Sequence, residues 1–193
     1  TVGMPNYEQG WARLSDGEPF GNVTFSKSKI TESYEVALPR LYDEQRVLLV
    51  TKHERNGESF YVFNTHLTPK NFTAELDDTN KTVISERDLQ AMYINSELRR
   101  LPATTPVFFC GDLNAVPDSS TYAMMMEGRF VDGVRIFGDN ELETFAGSKK
   151  QIDYILSNGQ GWLFIEVRTF GKQTTDHCGV EGRFVKLIET VEA

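Results

Sequence analysis

The sequence predicts an α/β sandwich, in which β-sheets pack face to face and helices lie outside them. Three observations carry that expectation. Short apolar runs of strand character alternate with two helical patterns along the chain. The stretch 46-RVLLVTKHERNGESFYVFNTHL-67 is interrupted by Asn56-Gly57, a strong short-range hairpin signal. The run Val107–Cys110 in 106-PVFFCGDLNAVP-117 is apolar throughout, as expected of a strand buried on both faces.

Taken in order, the first clear elements are the two strands of that hairpin. The second, Phe60–Phe63, is apolar on both faces and reads as a central strand ending on Asn64-Thr65-His66-Leu67. His53, close to the hairpin turn, reads as solvent-facing. Residues 68–82 are polar and rich in Asn, Asp and Thr, so they read as a loop beside His66, either substrate-facing or a plain surface excursion. Val83–Leu101 has Ile84, Ala91, Ile94, Leu98 and Leu101 on one helical face, and Pro102 stops it. Within that helix, Arg87 and Gln90 read as solvated or packed on the sheet edge rather than catalytic. After Val107–Cys110, Asp118-Ser119-Ser120 resembles a helix N-cap, Tyr122–Glu127 a short helix and Gly128 its stop. Met124–Met126 read as core filler. Gln151–Leu156 and Trp162–Phe170 are strands joined by a Gly-rich turn, and Gly179–Leu187 is the last strand, entered through 174-TTDHCGV-180. No repeat, low-complexity tract or linker divides the chain, so 1–193 is expected to be a single domain.

Composition narrows the function less than the motifs do. The chain has 193 residues, 39% hydrophobic and 25% charged, as in an ordinary globular protein. No apolar run is long enough to span a membrane, and no signal peptide is visible. A net charge of −8 argues against general electrostatic attachment to nucleic acid but leaves room for a nuclease with a local basic groove. Cys110 and Cys178 lack zinc-site spacing; Cys110 reads as a core thiol, and a disulfide between the two stays open. Sequons at Asn22, Asn71 and Asn80 matter only for an exported chain, and the compartment is left open.

Four strand ends carry polar groups: His66, then Asp112 with Asn114, then Asp153, then Asp176-His177. Singly, each is more often a turn residue or a cap. Together they flank apolar strands whose ends can converge on one rim. Carboxylates and a carboxamide are hard oxygen donors, suited to Mg²⁺ or Mn²⁺ rather than zinc. With two histidines beside them, they suit phosphate-ester hydrolysis. One Asp can orient and deprotonate water, a protonated His can stabilise developing charge, and a second Asp can hold that His.

These motifs, in this order, resemble the endonuclease/exonuclease/phosphatase superfamily. The stretches that carry the resemblance are 20-FGNVTFSKSKI-30, 64-NTHL-67, 87-RDLQ-90, 110-CGDLNAVPDSSTY-122, 144-TF-145, 152-IDYI-155 and 175-TDHCGV-180. The resemblance implies a DNase I-like four-layered α/β sandwich, two packed mixed β-sheets flanked by helices, with the active site where strand ends meet. It implies that Asp112 activates the attacking water, Asn114 and His66 contact the phosphate, Asp153 orients His177, and Asp176 is a metal ligand. The family's early Asn and its Gln-Glu metal-ligand pair have no counterpart before Phe20; Glu8-Gln9 has the reverse order and reads as a surface loop. The domain is therefore expected to be N-terminally incomplete, with an N-terminal segment or a second chain completing the sheet. The expected function is a Mg²⁺-dependent phosphodiesterase. The alternatives are a nuclease or deadenylase-like enzyme acting on nucleic acid, or a non-catalytic binding module that keeps the fold.

Overall fold

The second strand of the Asn56-Gly57 hairpin lies at the centre of the largest sheet, with the first strand beside it toward one edge. The computed structural model describes residues 3–13, 19–41, 44–75, 83–137, 142–147, 149–171 and 175–187. Along the chain these form β1 (Asn6–Arg13), β2 (Pro19–Ser26), β3 (Lys29–Ala37), β4 (Val47–Arg55), β5 (Glu58–His66), β6 (Thr73–Glu75), β7 (Val83–Ser85) and α1 (Glu86–Arg100). Then follow β8 (Val107–Asp112), α2 (Ser120–Glu127), β9 (Val131–Asp132), α3 (Gly133–Phe137), β10 (Asp153–Ser157), β11 (Trp162–Phe170) and β12 (Gly179–Lys186).

The main sheet has the order β3-β4-β5-β8-β10-β9. Its neighbours are antiparallel except β5 and β8, which run parallel. A parallel pair cannot be joined by a tight turn, and α1 forms the crossover. Ser85 caps α1 by accepting the Asp88 N–H at 3.1 Å, with Glu86 and Asp88 in the first turn and Arg99 and Arg100 in the last. The cap moves the expected helix start from Val83 to Glu86, because Val83–Ser85 instead pairs with Thr73–Glu75 inside the region read as loop. Residues 76–82 of that region lie outside the described residues. Ser119 caps α2 by accepting the Tyr122 N–H, and Gly128 ends it.

Because side chains alternate along a strand, each strand sends one set to the helices and the other away. On the helix side, Leu48, Val50, Phe63, Val107, Phe109, Tyr154 and Leu156 meet Ala91, Ile94 and Leu98 of α1 and Tyr122 and Met125 of α2 in one core. Met125 is fully buried, while Met124 and Met126 pack against that core from its edge.

On the opposite side the cover is divided. Among the described residues, strands β1 and β2 pair only with each other, as do β11 and β12. The β1-β2 pair lies over β3, β4 and β5: Gly10 sits against Leu49, and the Asn22 amide donates to the Val47 carbonyl at 3.2 Å. The β11-β12 pair covers β8 and β10, with Phe108 edge-on to Phe184 and Trp162, and Gly182 against Ile155. Thus the expected α/β sandwich is present: among the described residues a six-stranded sheet is faced by the β1-β2 and β11-β12 pairs, with α1 and α2 on its other side.

Several local expectations are corrected. Glu8-Gln9 is part of strand β1, paired with Thr24 and Val23, not a loop. The pattern there is period two, with Gly10 and Ala12 buried and Tyr7, Gln9 and Trp11 exposed, so no apolar run announces it. His53 is buried, 2% exposed, because its ring falls under β2: its nitrogens bond to Ser26 Oγ at 3.0 Å and Thr51 Oγ1 at 2.8 Å, and the ring stacks on Phe60. Gln90 is fully buried, tying the Thr68 N–H to the Pro39 carbonyl. Cys110 and Cys178 are both free thiols, and burial pushes the Cys110 thiol up to about 11.

Candidate active site

Strand pairing alone brings three of the four strand ends together. His66 is opposite Asp112 in the parallel β5–β8 ladder, and Asp153 is opposite Asp112 in the antiparallel β8–β10 ladder. The neck of this arrangement needs glycine: a Cβ on Gly111 would lie 2.0 Å from the Thr65 carbonyl oxygen. Asp112 keeps the parity of Phe108 and Cys110, so it faces the divided side of the sheet rather than the helices.

His66 Nε2 lies 3.4 Å from Asp112 Oδ2. His177, two residues before β12, places Nδ1 at 3.0 Å from Asp153 Oδ2. Asp112, Asp153 and His177 each offer an atom within 4.8 Å of the others. Asn114 lies just past them; its N–H donates to Asp112 Oδ1 at 2.6 Å and its Nδ2 to the Leu67 carbonyl at 3.0 Å. The Asp176 side chain is exposed and stands outside the Asp112–Asp153–His177 trio.

The fourth strand end is joined to the others by a segment that the sequence marks only with the pair 144-TF-145. Buried Thr144 accepts the N–H groups of Ile152 and Asp153 on Oγ1, and its carbonyl accepts the Cys178 N–H at 2.7 Å. The Phe145 ring packs on the His177 ring at 4.9 Å. On the other side of the site, Phe20 meets His66 edge-on at 5.4 Å, and the buried Arg46 guanidinium lies over the Phe20 ring at 4.9 Å. Nothing in the spacing of Arg46 singles it out; its one signal is a charged residue at the entrance to an apolar strand.

The ionisable groups are tuned apart. Burial raises Asp112 to about 6, against the opposing hydrogen bond from the Asn114 N–H. Burial also lowers His66 to about 4, helped by the charges of Arg46 and His177. Burial opposes the charge on His177 too, but the hydrogen bond and charge of Asp153, with Asp112 and Asp176, raise it above the ordinary value. Near neutral pH the site thus contains an ionised carboxylate of near-neutral pKa, a neutral imidazole and an imidazole that favours its proton. Groups pushed apart in this way can serve as base, hydrogen-bonding partner and acid in one reaction.

The oxygen-rich donor set also fits a hard divalent cation. Asp112 and Asp153 supply carboxylates close together, and Mg²⁺ takes one or two such ligands while keeping several waters.

A layered α/β fold with paired Asp and His groups at converging strand ends defines the class of protein to which this chain can be compared. A model of the endonuclease/exonuclease/phosphatase family matches residues 4–177, and the chain belongs to that family. No curated protein matches it by sequence. Among solved structures, it is similar to zebrafish (D. rerio) TDP2 complexed with a single-strand DNA product, at TM-score 0.68 and 18% identity, covering 94% of this chain and 77% of that one. It is also similar to the mannosyl-6-phosphatase Bt3783 of Bacteroides thetaiotaomicron VPI-5482, at TM-score 0.64 and 15% identity, over 94% and 78% of the two chains. The human Nocturnin catalytic domain with a bound sulfate anion gives 0.63 and 18%, over 92% and 73%. At these identities the likeness is one of fold, and it is the DNase I-like fold of the family.

Proposed function

We propose that this chain is a phosphodiesterase dependent on Mg²⁺ or Mn²⁺. The observation that carries the reading is the pairing of His66 with Asp112 and of His177 with Asp153 on one rim, with opposite tuning of the two imidazoles. Asp112, with a pKa of about 6, takes a proton from the attacking water near neutral pH. His177 keeps its proton through Asp153 and stabilises charge on the phosphoryl oxygens or protonates the leaving oxygen. Neutral His66 and the Asn114 amide hydrogen-bond the phosphate. Asp176 serves as a metal ligand beside the Asp112–Asp153–His177 trio, its charge already felt at His177. When bound, the cation neutralises phosphoryl oxygen charge.

A nucleic-acid ester is the narrower second reading. The DNA product in the TDP2 structure favours it, while the net charge of −8 opposes broad backbone contact. We also read the exposed apolar side chains on the strand pairs, Tyr7, Trp11, Val23 and Phe25 on one and Leu163, Ile165 and Val185 on the other, as a seat for further strands from an N-terminal segment or a second chain. Light scattering checks this: a stable monomer that binds no hydrophobic dye would remove the need for such a layer.

The functional test is hydrolysis of bis-p-nitrophenyl phosphate and of a single-stranded oligonucleotide, with Mg²⁺ and with EDTA. Metal-dependent turnover lost in Asp112→Ala is expected. Turnover on neither substrate, or turnover indifferent to Asp112→Ala, would leave a non-catalytic binding module that keeps the fold.

A further inference from the structure

Asn114 holds a left-handed backbone, with φ +48. Asn adopts this conformation more readily than other non-glycine residues, and here hydrogen bonds on three sides fix it. Two of the restraints come from the site itself, the Asp112 carboxylate on its N–H and the Leu67 carbonyl on its Nδ2. A third comes from outside. Arg87 Nη1 donates to the Asn114 backbone carbonyl.

Arg87 is well placed to act as a fixed support. It lies in the first turn of α1, two residues after the Ser85 cap, and its own N–H donates to Asn71 Oδ1 at 3.3 Å. One residue thereby links the segment after β5, the start of α1 and the segment after β8. The guanidinium is partly buried, and its Nε has no partner among the described residues. A buried, incompletely paired guanidinium is a poor contributor to stability. Its position is better explained by what its bonded end holds. With one Nδ2 hydrogen on Leu67, Asn114 keeps a second hydrogen free for an acceptor oxygen.

We propose that Arg87 is a positioning residue for Asn114: by gripping the Asn114 carbonyl from behind, it sets the left-handed turn that aims the Asn114 amide at the substrate phosphate, without touching the substrate. This rests on the phosphodiesterase reading. A plain helix anchor would instead affect stability and leave turnover alone.

The test compares Arg87→Met, Arg87→Lys, Asn114→Ala and the Met/Ala double variant with bis-p-nitrophenyl phosphate as probe. Arg87→Met is expected to lose roughly 10- to 100-fold in kcat, the scale of a misplaced contact, with KM within about two-fold. Arg87→Lys, which keeps the charge and stem, falls between wild type and Arg87→Met. Asn114→Ala should lose at least as much as Arg87→Met, and the double variant should be no slower than Asn114→Ala alone, since both remove one contact. Wild-type kcat in Arg87→Met, or fully additive losses in the double variant, overturns the proposal. If Arg87→Met does not fold, Arg87→Lys is read against the same outcomes. If the wild-type protein shows no metal-dependent turnover, the functional reading fails by itself, and Arg87 is then judged by the Asn114 side-chain amide NMR signals. Their displacement in the Arg87 variants is expected, and unchanged signals overturn the positioning role.

Discussion

The two faces of the six-stranded sheet are built differently. The helix face is closed: Leu48, Val50, Phe63, Phe109 and Leu156 are all buried under α1 and α2. The opposite face is divided between β1-β2 and β11-β12, which share no ladder and expose aromatic side chains outward. The site belongs to the divided face, where Asp112 and Asp153 have the parity of Phe108 and Ile155. The difference teaches that the closed face supplies rigidity, while the division leaves polar groups half-buried. Half-burial is what moves Asp112 and His66 far from their ordinary pKa values without removing them from a substrate's reach.

That contrast can be broken in order of expected effect. Phe109→Ala on the closed face should cost about 3–5 kcal/mol of unfolding free energy, because a buried aromatic leaves a cavity the surroundings only partly fill. Urea denaturation measures it, and a loss under 1 kcal/mol, small on that scale, would show the helix face to be far looser than described.

His53, which joins β2 to β4, comes next. His53→Ala should cost about 1–3 kcal/mol, leaving the hydroxyls of Ser26 and Thr51 unpaired. Burial holds the folded-state pKa of His53 below the unfolded value. As pH falls through roughly 6.5, the unfolded chain therefore takes up the proton first and the folded state loses stability; above that pH this group has no effect. His66 contributes with the same sign and His177 with the opposite one, so the informative quantity is the difference between wild type and His53→Gln. Equal urea midpoint shifts between pH 7.5 and 5.5 in the two proteins would remove His53 from this role.

A smaller effect concerns the site alone. Burial works against the charge on His177, and the hydrogen bond and charge of Asp153, joined by the charges of Asp112 and Asp176, raise its pKa nonetheless. Activity should be lost as pH rises through the His177 value, and Asp153→Asn should move that alkaline limb to lower pH, because it removes the charge and the charge-assisted hydrogen bond that favour the imidazolium. An unmoved limb in the rate profile would detach Asp153 from His177. The smallest effect is expected on the outer side of β1, where Trp11→Ser in this chain by itself, with no further strand seated on it, should change stability by no more than about 0.5 kcal/mol. A larger loss by calorimetry would mean that Trp11 is covered in solution.

The closed face was largely legible in the sequence because its signals are local. Asn56-Gly57, the period of Ala91, Ile94 and Leu98, and the Ser119 cap each act within a few residues. The grouping of His66, Asp112, Asp153 and His177 was legible because each follows or begins an apolar strand. Strand β1 was not, since its inward row, half-buried Glu8 with buried Gly10 and Ala12, has no apolar bulk. His53 was misread because its cover, Ser26, comes from a strand 27 residues away. The contact of Arg87 was illegible for the same kind of reason: its partner, the Asn114 carbonyl, is a backbone group and leaves no mark in the sequence.

The parallel pairing of β5 with β8 also has a consequence in time. A refolding chain can form the β4–β5 hairpin and α1 from neighbours in sequence, but His66 meets Asp112 only when the chain closes across the entire α1 crossover. Such non-local closure is the slow part of folding. Helical circular dichroism should therefore return before catalytic competence does, and the interval between the two would measure how long the chain takes to seat one strand beside the other.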